Sequence, residues 1–201
     1  MPFHQPYIMK TSILFVLLLI NGLFAYAQKP DSTTNKTDKT TVVARSVMSP
    51  SNDIIQNISS SPEFTIFTNA IKTAALTDNF KSNGLITVFA PTNKAFGQLV
   101  AGKLDTLLLP AHKAELTGLI LNHALTGIIS SKDIEKQIKA GNGKATFTTL
   151  SGGILTARIN ENRNIVLTDE TGGESVISRF DIRQSNGMLH ITTGVLIPQT
   201  K

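Results

Sequence analysis

Between Lys144 and Ile197 the sequence breaks into five short runs rich in β-branched residues: "KATFTTL", "GILTARI", "NIVLTD", "ESVISRFDI" and "GMLHITTGVLI". Ser151-Gly152-Gly153, Asn160 to Asn164, Gly172-Gly173 and Ser185-Asn186-Gly187 separate them. Runs of this composition, each closed by a turn signal, predict an antiparallel sheet system. Upstream the period changes. Phe64, Phe67, Ala70, Ile71, Ala74 and Ala75 recur at helical spacing, as do Leu116, Leu119, Ile120 and His123. Ser61-Pro62-Glu63 and Pro110 mark helix starts. Ser131 is placed to cap "KDIEKQIKA", which turns Ile134 and Ile138 inward and stops at Gly141. Helices first and strands later predict an α+β fold. No internal repeat is visible, so the prediction is one domain over residues 51–199.

Two segments precede that domain. Lys10 is the only formal charge ahead of the apolar run Ile13 to Ile20, and Ala25-Tyr26-Ala27 closes the stretch. A basic flank, a short apolar core and an A-x-A ending predict a secretory signal peptide over 1–27, cut between Ala27 and Gln28. Asn21 and Gly22 interrupt the run short of the roughly 20 apolar residues of a spanning helix, so no membrane span is expected after the leader is removed. Residues 28–50 open with "QKPDSTTNKTDKTT" and offer almost nothing to bury, which predicts a disordered polar spacer. The chain has no cysteine, so an apolar core must hold the domain without disulfides, thiolate metal sites or a lipidated anchor. Its formal net charge of +5 is a mild excess, suited to polyanion contact and equally ordinary for an exported domain.

The stretch "TVFAPTNKAF", residues 87–96, reads as a buried strand turning a tight corner into a helix. Pro91 has no N–H for a sheet ladder and ends the strand. Thr92 or Asn93 caps a helix whose face begins with Ala95, Phe96 and Leu99. This segment resembles the first signature of the fasciclin domain, and others follow in that family's order. "SPEFTIFTNAIKTAAL" is similar to the helix before it, "LTGLILNHALTGIISSKDI" to the middle segment and "DIRQSNGMLHITTGVLIP" to the closing one. The resemblance covers roughly Ser51 to Pro198. It implies a wedge of antiparallel β-strands with helices packed along one side. It also implies an exported, non-enzymatic adhesion or matrix-contact module at the cell surface, secreted or held in the cell envelope, periplasmic or extracellular. Its partner would be an extracellular protein or an acidic polysaccharide. In animal members a Tyr-His segment and a nearby Asp-Ile pair are associated with receptor binding. The matching positions here are Asn122-His123 and Asp133-Ile134, with Asn122 in place of the tyrosine.

His123 has two readings: a ligand contact, or a buried imidazole whose nitrogens bond backbone groups or Asn122. His112, His123 and His190 are scattered without metal-ligand spacing. Lys132, Lys136 and Lys139 fall at i, i+4 and i+7, with Lys144 just beyond. They form either a solvated helix face paired with Asp133 and Glu135, or a basic strip for an acidic glycan or an anionic headgroup. Arg179, Asp181 and Arg183 share one strand face at period two, placed to pair across strands or to bind an anion. "GNGKAT" fails as a phosphate loop, because Ile138 stands where its first glycine belongs and Ala145 replaces the hydroxyl. No G-x-S-x-G elbow or thiol nucleophile exists, and "TDETGGE" reads as a solvated turn. No enzyme, cofactor, metal or nucleic-acid partner is expected. The competing reading is a small-ligand or glycan-processing protein with a pocket between helices and sheet.

Overall fold

The computed structural model describes residues 41–43, 46–82 and 84–199. The expected leader, its Ala27–Gln28 cut and the first part of the spacer lie outside the described residues. The spacer's far end is corrected. Strands β1 (Thr41–Val43) and β2 (Ser46–Met48) pair antiparallel, and Val43 and Met48 are buried in the main core. Two apolar side chains aimed at one face were enough to fold a segment of otherwise polar composition. Met48→Ala should therefore cost about 2 kcal/mol or more, the usual loss for a fully buried methionine, in urea unfolding. An unchanged midpoint would return this segment to the spacer.

Six helices and two strands complete the first half: α1 (Ile54–Ser59), α2 (Thr65–Thr73), α3 (Thr77–Ser82), β3 (Ile86–Pro91), α4 (Asn93–Phe96), α5 (Lys103–Leu107), α6 (Lys113–Leu121 after a 3₁₀ turn at Pro110–His112) and β4 (Ala124–Thr126). Then come α7 (Ser131–Ala140), β5 (Ala145–Thr148), β6 (Ile154–Ile159), β7 (Ile165–Thr168), β8 (Glu174–Gln184) and β9 (Gly187–Thr192). Both ends of the first helical stretch differ from expectation. Ser61 precedes a 3₁₀ turn at Pro62–Phe64 without capping it, and its buried hydroxyl has no hydrogen-bond partner. Ala75 lies past the end of α2 in the left-handed region, at φ 61°, and is exposed.

One seven-stranded sheet runs β4-β3-β9-β8-β7-β6-β5. Its neighbours are antiparallel, as expected for the wedge, except β3 and β9, which run parallel. These two strands divide the interior. Val88 and Ala90 of β3, with Leu189 and Ile191 of β9, meet Phe64, Phe67, Ile71 and Ile120 from the helices. Phe89 faces the second core, where Ile134 and Ile138 of α7 pack on Phe147, Leu155 and Leu167. Burial on both faces explains why "ITVFA" is apolar without alternation.

The corner after β3 is a tertiary device. Thr92 Oγ1 accepts the Ala95 N–H at 3.2 Å and so caps α4. Asn93 turns away to the start of α2: its Oδ1 accepts the Ile66 N–H at 3.0 Å, and its Nδ2 donates to Pro62 O at 2.8 Å and Thr65 Oγ1 at 2.9 Å.

Candidate functional site

Asn122 and His123 follow directly on α6, at the point where the chain leaves the helix for β4. Both are fully enclosed, at 1% and 0% exposure, which removes them as direct partner contacts. They hold the C-terminal segment instead. His123 Nε2 accepts the Leu196 N–H at 2.9 Å, while Nδ1 donates to Leu119 O at 2.8 Å. Asn122 Nδ2 donates to Leu196 O at 3.2 Å, and its Oδ1 accepts the hydroxyls of Thr149 and Ser151, each at 3.1 Å. The two side chains thus take both backbone groups of Leu196, as a neighbouring strand would. The segment after β9 has no strand partner there, so side chains supply acceptors along it. Ser175 Oγ takes the Gly194 N–H at 2.8 Å, and Asp169 Oδ2 takes the Ile197 N–H at 2.8 Å.

Burial holds the His123 imidazole neutral, with a pKa lowered to about 4; the bond to Leu119 O and the charge of Asp169 oppose this more weakly. A second proton would also set an Nε2–H against the Leu196 N–H. Asp169, expected in a solvated turn, is 5% exposed. Its Oδ1 accepts from Thr171 N, Thr171 Oγ1 and Gly173 N at 2.9, 2.7 and 2.9 Å. The Asp-x-Thr-x-Gly spacing of an Asx-type turn was the signal available in the sequence. His190 is also buried. It stacks on Phe89 with ring centroids 5.5 Å apart, and its Nε2 lies 2.9 Å from Ile129 O. Burial lowers its pKa as well.

The Asp133-Ile134 pair divides between solvent and core. Ile134 is fully buried in the second core, while Asp133 forms a capping box with Ser130. Ser130, one residue before the expected Ser131, is therefore the cap. Hydrogen bonds from the Ser130 hydroxyl and backbone hold the Asp133 carboxyl below its ordinary value. Ser131 binds elsewhere: its N–H and hydroxyl donate to the two carboxylate oxygens of Asp181, at 2.7 and 2.5 Å. Asp181 sits at φ 61° in a β-bulge, where the register of β8 on β9 slips between Arg179 and Ile182. The expected period-two face of Arg179, Asp181 and Arg183 is thereby broken. The bulge leaves Phe180 55% exposed between them.

Lys132, Lys136 and Lys139 are exposed on α7. Among the described residues none has a carboxylate within 4.0 Å, so the expected pairs with Asp133 and Glu135 do not form. Asp133 is occupied by its cap. The bond from Ser131 to Asp181 fixes the start of this lysine face beside the bulge that carries Arg179, Phe180 and Arg183. No group of three His, Cys, Asp or Glu side chains among the described residues is arranged to hold a metal, and no described helix is long and apolar enough to cross a membrane.

A separate cleft of about 420 Å³ opens beside α6. Leu119 of α6, Ser151, Gly153 and Ile197 line it, above the enclosed Asn122 and His123. No local sequence pattern announced it, since its walls come from five separate parts of the chain.

The family model described as Fasciclin domain matches residues 62–198. Protein sll1483 of Synechocystis is 28% identical over 162 residues, covering 81% of this chain and 82% of that protein. Human Stabilin-1 is 30% identical over 75% of this chain, which spans only 6% of that much longer protein. Human Periostin is 27% identical over 71% of this chain and 15% of its own length. A solved FAS1 domain pair from the insect cell adhesion molecule Fasciclin I superposes with a TM-score of 0.63 at 15% identity, covering 81% of this chain and 58% of that one.

Proposed function

The chain belongs to the fasciclin domain family, and from that premise we propose that it is an exported, non-enzymatic adhesion or matrix-contact module. Its working face is α7 with the adjoining β8 bulge, and its partner is an acidic polysaccharide of the cell surface or envelope. The observation that carries this reading is the row of exposed lysines, Lys132, Lys136 and Lys139, with no carboxylate within 4.0 Å. A lysine row without a close ion pair keeps its ammonium groups open to an external polyanion. Phe180, 55% exposed on the bulge that also carries Arg179 and Arg183, adds an aromatic ring suited to the apolar face of a sugar. The resemblance-implied contacts at Asn122, His123 and Ile134 do not belong to this face, because all three are enclosed.

The test is binding of the full chain to a polyuronate, with a neutral dextran as control, at low and physiological salt. Changing Lys132, Lys136 and Lys139 together to Gln should weaken binding roughly tenfold, the sum of three exposed ion pairs of about 0.5 kcal/mol each. The salt dependence should flatten with it, because screened surface charges carry it. Binding that ignores both the substitutions and the salt would place the contact on another, less charged surface.

A further inference from the structure

We propose that the cleft beside α6 binds small apolar molecules that carry an ammonium head. This site is separate from the lysine face and does not depend on it. Its volume of about 420 Å³ falls within the roughly 300–1,000 Å³ usual for small-molecule sites. Ala114, Gly118, Leu119, Ile197 and Pro198 make an apolar floor. Gly118 leaves the room: a Cβ built there meets nothing within 4 Å.

The head-group chemistry follows from which polar groups on the rim are already spent. Lys103 Nζ donates to Glu115 Oε1 at 2.5 Å, and His112 Nδ1 reaches Glu115 Oε2 at 3.1 Å. Both carboxylate oxygens of Glu115 are thereby occupied, and the lysine is neutralised. The Ser151 hydroxyl hydrogen is spent within the fold, on Asn122 Oδ1 at 3.1 Å or Thr149 Oγ1 at 2.8 Å, and Thr171 donates its own to Asp169 Oδ1 at 2.7 Å. These two hydroxyls offer the cleft only lone pairs. Glu170 accepts the Gln199 N–H at 3.3 Å through Oε2, and no Lys, Arg or His nitrogen among the described residues lies within 4.0 Å of its carboxylate. With Lys103 and Glu115 balancing each other, the rim is left with acceptors and one uncompensated negative charge, on Glu170. An anionic head could reach only the remaining N–H groups of Lys103, whose charge Glu115 already balances, and the Gln199 amide, and it would meet Glu170. An ammonium has three donors and the complementary charge.

Phenethylamine, cationic at neutral pH, and 3-phenylpropionate, its near-isosteric anion, separate charge from shape. Each is titrated into the isotopically labelled full chain and followed by backbone amide shifts. Saturable shifts by the amine at Gly118, Leu119, Ser151, Gly153 and Thr171 are expected. The anion should bind roughly fivefold or more weakly, and Glu170→Gln should cost the amine roughly two- to fivefold, the scale of a solvent-exposed ion pair. Gly118→Leu fills the cleft and should abolish binding. Glu170→Gln provides an independent check, since the Gln carbonyl still accepts from Gln199 and the fold is untouched. Equal binding of both probes, shifts located elsewhere, or no saturable shift up to the solubility limit of the amine would each overturn the assignment.

Discussion

Gly187→Ala will destabilise the domain by more than about 4 kcal/mol, beyond the range of ordinary point substitutions. Gly187 opens β9 directly opposite Ile86 on the parallel strand β3. A Cβ built at Gly187 would lie 1.9 Å from the Ile86 carbonyl oxygen and 2.9 Å from its carbon. Backbone cannot swing aside as the end of a flexible side chain does, so relief requires separating the central strand pair. The same corner is tied elsewhere: Asn186 Oδ1 accepts the Ile54 N–H at 3.0 Å, and its Nδ2 donates to Phe80 O at 2.7 Å. Misplacing the turn therefore also loosens α1 and α3. A loss of this size consumes much of the roughly 5–15 kcal/mol that holds a typical domain together. Gly118→Ala is the matched control. Its Cβ meets open space in a helix, and the substitution should raise stability by up to about 1 kcal/mol through helix propensity. Urea unfolding of both variants is the measurement, and a Gly187→Ala midpoint within error of the parent would refute the clash.

The second large effect is acid lability centred on His123. Its folded pKa of about 4 lies below the ordinary 6.5, so between these values the unfolded chain binds a proton that the folded chain does not. Stability therefore rises with pH across that window: it is complete above about 6.5 and is lost progressively as pH falls toward 4. The size of the effect is about 3 kcal/mol, by the conversion of pKa difference to free energy. His190 acts in the same direction, its pKa also being lowered by burial. The lowered carboxyls of Glu115 and Asp133 act below their ordinary values of 4.5 and 3.8, mostly outside this window. His123→Gln, which can still accept from Leu196, should show a visibly shallower fall in urea midpoint between pH 7 and pH 4. His123→Ala should lose about 3 kcal/mol or more at pH 7, from the cavity and the orphaned Leu196 N–H together. Identical pH profiles for parent and His123→Gln would remove His123 as the titrating group.

Local signals determined a good deal. Helical spacing in Phe64, Phe67, Ala70 and Ile71 and turn-bounded β-branched runs after Lys144 were enough for the α+β class. Pro91-Thr92 marked the corner, and Gly141 marked the end of α7. These features act within a few residues, through φ restriction, capping and the period of burial, so they are written in adjacent letters. Asn122 and His123 could also be read as a satisfied buried pair, since both stand next to an apolar helical stripe. Their partner Leu196 could not be read, because it lies far along the chain and offers only backbone.

The tertiary structure decided what depends on distant segments meeting. It made β3 and β9 parallel, because the β9 edge is reached only after the whole second half has folded back. It drew Val43 and Met48 out of a polar tract into the core. It spent Asp133 on Ser130 and Asp181 on Ser131, and among the described residues the α7 lysines have no carboxylate within 4.0 Å. It also assembled the cleft beside α6 from five parts of the chain and left Glu170 without a basic partner within 4.0 Å among the described residues. In each case composition fixed which groups were present, while proximity decided which were already satisfied. The groups left unsatisfied define the two surfaces assigned to binding.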